Sequence, residues 1–343
     1  MVSDMDLFVS GTVFLDIVFT GLNGLPGPGT EAWAPGMGSS PGGIANLAVA
    51  ASRLGVRTGL GAAFSTDVYG SFCWQVLQEQ EGIDLSPSRR VDDWHSPVTV
   101  SLAYDRDRSM ITHGHPAPVD GDGLVGALPA ARSAFLGLTE ERQPWARRAK
   151  DAGSLIFANV SWDDSAVWST GTLDVLEDCY AFLPNALEAM RYTRTATPHE
   201  ALHRLAGRVP LVVVTCGSDG ALAIDSETGA TVSVPGIAVD ALDPTGAGDI
   251  FTAGFIASTL WGLALPDRIA FANLVAALSV RHFGGSLSAP GWGDVAEWWQ
   301  ARKARGDAET VARYGFLHDV IPPGHARLAR RATATIARLP DAA

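Results

Sequence analysis

The sequence predicts an α/β protein: a central, mostly parallel sheet flanked by helices. Three observations carry that prediction. Short apolar runs such as Leu155-Ile156-Phe157-Ala158-Asn159-Val160 and Leu211-Val212-Val213-Val214-Thr215 read as strands buried on both faces. Between Ala134 and Val214 such runs alternate with helical segments, the order expected of βαβ units. Glycine-rich turns and polar residues fall at the ends of the runs, where open parallel sheets place their ligands.

Composition agrees and narrows the function. Of the 343 residues, 47% are hydrophobic and 18% charged, which is globular, with length for either two domains or one large one. The net charge of −12, without a long basic run, argues against nucleic acid as the main partner. Cys73, Cys179 and Cys216 are far apart and odd in number, fitting neither a disulfide framework nor a zinc spacing. The N-terminus lacks a basic segment, so no signal peptide is expected. No apolar run reaches the ~20 residues needed to span a bilayer. A cytoplasmic protein without membrane partners is expected.

Taken in order, Leu7 to Val13 is the first strand. Asp16 follows within an apolar stretch, where an acid is costly without partners; it is either a turn acid or a carboxylate that binds hydroxyl groups. Leu25 to Glu31 is a loop rich in turn residues. Gly42-Gly43 opens an Ala-rich helix that ends at Gly55, and Asn46 lies in its first turn. Thr58 to Ala63 is a short strand, and Asp67 caps the next helix. Pro97 to Thr112 has the pattern of a β-hairpin, with Asp105 to Arg108 as a charged turn; Arg106 and Arg108 are read at a solvated tip, and would point to a phosphorylated substrate if they faced inward. His113-x-His115 has metal-pair spacing, but the sequence places no third ligand nearby, and the pair is not assigned to a metal. Asn185 and Glu188 follow one strand; Thr215, Gly217 and Gly220 follow the most apolar one. His199 and His203 form a polar helix face.

The stretch with the clearest chemistry is Asp243-Pro244-Thr245-Gly246-Ala247-Gly248-Asp249. It lies between a strand-like segment, Val232 to Val239, and an apolar helix from Phe251 to Leu263. Gly246 and Gly248 let backbone approach a ligand, and N–H groups at a helix start attract an anion. Asp249 beside them is either a helix cap or a base for a hydroxyl attacking that anion. An anion hole next to a base suits phosphoryl transfer, which is mostly positioning and charge stabilisation.

These motifs, in this order, resemble those of the ribokinase-like PfkB family of carbohydrate kinases. The resemblance covers roughly residues 7 to 290. It implies a ribokinase-like kinase domain over residues 1–300, its small β lid built from segments about 12–36 and 97–113. Residues 301–343 would be a C-terminal helical extension. It further implies ATP-dependent transfer of the γ-phosphoryl group to a hydroxymethyl group of an unphosphorylated sugar or nucleoside. Asp249 would be the base, and Gly246, Ala247 and Gly248 the anion hole. Asp16, Gly42, Gly43 and Asn46 would hold the substrate. Asn185, Thr215, Gly217, Gly220 and Asn273 would line the nucleotide. Glu188 would hold magnesium through water, and Asp243, Thr245, Ser279, His282, Gly284 and Ser288 would hold potassium. A homodimer is also expected by resemblance.

Two alternatives remain at this stage: a sugar-phosphate kinase of the phosphofructokinase type, or a catalytically inactive sugar-sensing relative. The intact Asp249 and its turn argue against the second. The Gly42 to Asn46 stretch contains no cation, which argues against the first, since phosphosugar recognition favours Arg.

Overall fold

A computed structural model describes residues 5–104, 107–119, 121–125, 130–160, 167–324, 329 and 331–332. The chain opens with β1 (Met5–Ser10), β2 (Val13–Leu22), β3 (Gly36–Gly43), α1 (Ala45–Arg53), β4 (Thr58–Gly61), β5 (Ala63–Ser65) and α2 (Val68–Gln75). Next come β6 (Arg89–Val91), β7 (Val98–Tyr104), β8 (Asp107–His113), α3 (Gly121–Leu124), β9 (Ala131–Leu138), α4 (Pro144–Asp151) and β10 (Leu155–Val160). Then follow β11 (Ala181–Phe182), α5 (Ala186–Thr193), α6 (Pro198–Leu205), β12 (Leu211–Thr215), β13 (Ala221–Asp225) and β14 (Ala230–Val234). The last elements are α7 (Ala247–Leu260), α8 (Leu265–Ser279), α9 (Trp292–Arg305), α10 (Ala308–Arg313) and α11 (Leu317–Val320).

Eight strands form one sheet in the order β14-β13-β12-β11-β10-β9-β1-β4. The pairs from β4 to β12 are parallel, and β13 and β14 add an antiparallel edge. Side chains alternate between its faces. Leu7, Val9, Phe157 and Val213 join the core under α1, α7 and α8. Phe8, Ile156, Ala158, Val212 and Val214 join the core under α4, α5 and α6. Strands buried on both faces explain the unbroken apolar runs in the sequence.

A second sheet of four strands, in the order β3-β2-β7-β8, forms the lid. Its strand β3, Gly36-Met37-Gly38-Ser39-Ser40-Pro41-Gly42-Gly43, has almost no strand propensity and reads from sequence as loop and turn. Tertiary pairing decides it: β3 is hydrogen-bonded along β2 from Gly36↔Thr20 to Gly43↔Val13. Two further boundaries differ from the sequence reading. The strand before the Gly246 turn ends at Val234, and residues 235–246 are irregular. Helix α9 runs through residue 300 and buries Trp292, Trp298 and Trp299 in the main core. A division at residue 300 would therefore cut a packed helix, and Tyr314 and Leu317 beyond it join the same core.

Candidate active site

Helix α7 is the floor of the site. Ile250 through Ser258 are all buried, so the helix is apolar on every side and fixed by packing rather than by one amphipathic face. Its N-cap, Gly246, sits at φ 74°, a left-handed conformation that glycine adopts without strain. Beyond it the Gly248 Cα faces open space, so a ligand meets bare backbone there. The Ala247 N–H departs from the expected anion hole: it donates to Pro244 O at 3.2 Å, closing the turn. Gly246 and Gly248 remain as the candidate donors, together with the positive end of α7.

Asp249 stands in the first turn of α7. Asn46, in the first turn of α1, donates from Nδ2 to Asp249 Oδ2 at 3.0 Å, joining positions 203 residues apart. Burial pushes the Asp249 carboxyl up to about 6, and the bond from Asn46 opposes that rise. Asn46 is itself buried, and among the described residues its Oδ1 has no hydrogen-bond partner. It is an acceptor beside the candidate base that meets no donor among the described residues.

Asp16 arrives from the lid. It pairs in register with Ser40 of β3 and Thr99 of β7, so these three side chains share one face of the lid sheet. A Cβ at Gly42 would overlap the Asp16 carboxylate, which explains the need for glycine there. Asp16 is 9% exposed. Burial, and then the charge of Asp243, push its carboxyl up to about 7; the Thr99 hydroxyl and Arg108 pull the other way. Thr99 Oγ1 is in turn 3.0 Å from Thr112 Oγ1 of β8.

Arg108 corrects the sequence reading. The hairpin strand β8 begins at Asp107, so Arg108 lies within a strand rather than at a solvated tip. It pairs with Ala103, an even number of residues from the Thr99–Thr112 pair, and therefore faces the same side as Asp16. Its Nη1 lies 3.8 Å from Asp243 Oδ1. Arg106 lies outside the described residues. Arg89 and Arg90 are exposed, and Arg90 is bonded to Ser71 and lies over the Trp74 ring.

The remaining expected positions fall into two groups. At the carboxyl ends of β11 and β12, Asn185 and Thr215 form a bridge. Asn185 and Glu188 make a reciprocal capping box at the start of α5. Burial raises the Glu188 carboxyl, and the charge of Asp249 raises it further, so the two acids are neighbours. Gly217 is open to solvent, whereas a Cβ at Gly220 would overlap Val234 O. Asn273 is committed to structure: its Nδ2 donates to Val234 O at 3.2 Å and Pro235 O at 3.3 Å. Through Nδ2 it holds the irregular segment after β14.

The second group surrounds Asp243, which is 5% exposed. Its carboxylate accepts from the N–H and hydroxyl of Thr245 and from Gly284 N. The main chain before it pairs with Val280 O, so residues 243–245 and 279–288 form one nest. The oxygens Ser279 O and Gly284 O each accept one bond, from His282 N and Leu287 N, leaving a second lone pair. That donor set suits a monovalent cation. Arg331 opposes it, donating to Ser288 O at 3.1 Å and Ala289 O at 3.2 Å, while burial and then the Arg331 charge lower the His282 imidazole. Gly285 closes the site: a Cβ there would lie 3.0 Å from Asn46 Oδ1 and 3.6 Å from Asp16 Oδ2. Thr99 was missed from sequence, and Arg108 was expected at a solvated tip, because only strand register reveals which way they face.

A buried carboxyl held by an Asn, a glycine helix head and a second carboxyl on a lid have relatives. The pfkB family carbohydrate kinase model matches residues 138–292. An ATP-dependent ribose-1-phosphate kinase of Halopiger xanaduensis is 31% identical over 266 residues, which is 74% of this chain and 83% of the relative. The chain belongs to the pfkB family of carbohydrate kinases. This pfkB-family kinase is also 29% identical over 311 residues to a nucleoside kinase of Methanothermobacter thermautotrophicus, covering 88% of this chain and 98% of that one. Its fold matches Arabidopsis thaliana ribokinase complexed with ribose and ATP at a TM-score of 0.71 and 23% identity, over 85% of this chain and 98% of that one. It is a phosphotransferase of the ribokinase fold. Among the described residues, no helix is long and apolar enough to cross a membrane.

Proposed function

We propose that the protein is an ATP-dependent kinase that phosphorylates a hydroxymethyl group of an unphosphorylated sugar or nucleoside. The observation that carries this reading is the bond from Asn46 Nδ2 to Asp249 Oδ2. It joins the substrate-holding helix start to the anion-binding helix start, so acceptor and donor meet at one carboxylate. Asp249 takes the proton of the attacking hydroxyl; a carboxyl raised to about 6 is ionised at neutral pH and still basic enough to accept it. Gly246 and Gly248 present N–H groups to the transferred phosphoryl group. Asp16, Thr99 and Asn46 Oδ1 accept from or donate to the acceptor's hydroxyls. Glu188 and Asp249, neighbouring acids, suit a hydrated magnesium ion, which keeps most of its waters. When bound with ATP, that ion neutralises charge on the phosphates.

Arg108 favours a second reading, a phosphorylated acceptor, and the likeness to a ribose-1-phosphate kinase points the same way. We weigh it below the first because Arg108 faces Asp243 and Asp16, which oppose its charge. A phosphate of nearly two negative charges would enter a corner that holds two acids. The deciding measurement is kcat/KM in an ATP-consumption assay. Fructose, ribose and a nucleoside are compared with fructose 6-phosphate, fructose 1-phosphate and ribose 1-phosphate. An unphosphorylated acceptor should win, and Arg108→Ala should change its kcat/KM little. A phosphosugar that wins by about tenfold, 1.4 kcal/mol, and loses that advantage in Arg108→Ala would replace this reading with the second.

A further inference from the structure

The lid hairpin is joined to the body by two passages of chain. The incoming one, residues 91–97, is anchored on the body: Thr66 N donates to Val91 O, Thr66 Oγ1 to Asp92 Oδ1, and Ser65 N to Ser96 Oγ. The outgoing one, residues 113–116, leaves the end of β8. His95 lies on the first passage, and His113 and His115 on the second. Each offers one ring nitrogen, and the three nitrogens lie within 4.8 Å of one another. The ring centroids are 5.1 Å apart for His95–His113, 5.0 Å for His95–His115 and 5.3 Å for His113–His115.

We infer that these three histidines form a site for a divalent transition metal of the zinc class, which staples the two passages at the base of the β7–β8 hairpin. Three imidazoles with an open fourth position are a recurring ligand set for zinc, with Zn–N bonds of ~2.0–2.1 Å. Tetrahedral bonds of that length put ligand nitrogens roughly 3.4 Å apart. The present cluster reaches this by small rotations of imidazoles, two of which are exposed and one half-buried.

Neighbouring groups already orient the ligands. His95 Nδ1 is 3.3 Å from Ser96 O; donating there, it leaves the Nε2 lone pair for the metal, the outer bond that metal-ligating histidines usually make. Trp94 Nε1 donates to His115 O at 3.3 Å. The position of His113 is set by its register with Val98. Among the described residues no carboxylate joins the cluster, and an all-nitrogen ligand set disfavours magnesium or calcium.

The site adjoins the catalytic cleft without belonging to it. The Val98–His113 pair is one register step from Thr99–Thr112, and Thr99 bonds Asp16. A staple there ties the base of the β7–β8 hairpin, the hairpin whose Thr99 pairs with Asp16 of β2.

The test uses the tag-free full chain and ZnCl2 alone, without nucleotide or magnesium. Calorimetric titration should show one zinc per chain. Loss of even an outer partner of a bound metal costs about 10–100-fold in affinity, so His95→Ala and His113→Ala should each weaken binding at least that much. Because the side chains lie at the surface, the variants should keep the melting temperature of the metal-free wild type. Hydrogen exchange should slow at residues 93–97 and 113–116 on adding zinc to wild type and not to His95→Ala. Equal zinc affinity in wild type and in the triple His95→Ala, His113→Ala, His115→Ala variant would overturn the inference. Binding that survives His95→Ala would also overturn it, showing a two-histidine chelate on one passage and no staple.

Discussion

The floor of the cleft and its lid are held by different means. The floor is the head of α7, a helix whose residues from Ile250 to Ser258 are all buried. The lid is a sheet of four strands, one of them mostly glycine and serine. Its strand β8 exposes Met110 and Ile111 to 53% and 70%. Asp249 is on the first and Asp16 on the second. A site that must place a phosphoryl group within a fraction of an ångström gains from the packed helix. A site that admits an acceptor and then covers it gains from a thin sheet that stands apart from the main core. In the proposed reading chemistry belongs to the floor and acceptor binding to the lid, and that division can be broken residue by residue.

The largest effect is expected at the floor. Asp249→Asn should lower kcat by ~10²–10⁴-fold, the usual contribution of a general base, and leave ATP affinity near wild type by calorimetry. A variant that keeps more than about a tenth of kcat would remove Asp249 from the role of base.

The lid should respond differently. Asp16→Ala should raise KM for the acceptor by about 10–100-fold, from loss of hydrogen bonds to a charged group at ~1.5–3 kcal/mol, and lower kcat less. Steady-state kinetics with the acceptor varied separate the two. If kcat falls as far as in the Asp249 variant with KM unchanged, the division between floor and lid fails.

How much of this was legible in sequence follows the same line. The floor is local: residues 243–249 lie together, so Asp249 and its glycines can be read as one motif. The parallel sheet is legible because strands buried on both faces must be apolar throughout. The lid is not local. β3 has no propensity to announce it and exists only through pairing with β2. Arg108 and Thr99 acquire their direction from strand register, and one residue of slip would turn both away. His95 and His113 are brought together by two passages of chain that no spacing rule connects. For Asn273, a polar residue in an apolar helix signals a partner, and for its Nδ2 that partner is backbone, Val234 O and Pro235 O.

A smaller effect is expected from pH, and its sign follows from the raised carboxyls. Asp249 must be ionised to accept a proton, so kcat should fall as pH drops through about 6 rather than through the ordinary carboxylate range. Stability runs the opposite way. A carboxyl raised in the folded state binds its proton more tightly than in the unfolded chain. The stability this contributes is present below the unfolded value near ~4 and lost as pH rises through the folded value. For Asp249 that window ends at about 6, and for Asp16 at about 7. Asp249→Asn should therefore melt higher than wild type at pH 8 and show no gain at pH 4, by scanning calorimetry. An acid limb of kcat near 4 would mean that the base is not a desolvated carboxylate.

The smallest expected effect concerns the monovalent cation at the nest around Asp243, between floor and lid. The buried Asp243 charge and the spare lone pairs of Ser279 O and Gly284 O favour a cation there. The guanidinium of Arg331, on Ser288 O and Ala289 O, is already positive and disfavours a second charge close by. Arg331 is anchored by its ion pair with Asp294, so it does not swing away freely. The two influences oppose each other, and the net preference should be modest. Replacing sodium by potassium should raise kcat by about threefold, under 1 kcal/mol, at constant ionic strength. Arg331→Gln should enlarge that ratio, since it removes the competing charge while keeping a donor to the carbonyls. The sodium form must be fully exchanged before assay, and its rate compared at saturating acceptor and nucleotide. Equal rates in the two salts for both wild type and Arg331→Gln would leave the nest a purely structural turn, held by the Asp243 carboxylate alone.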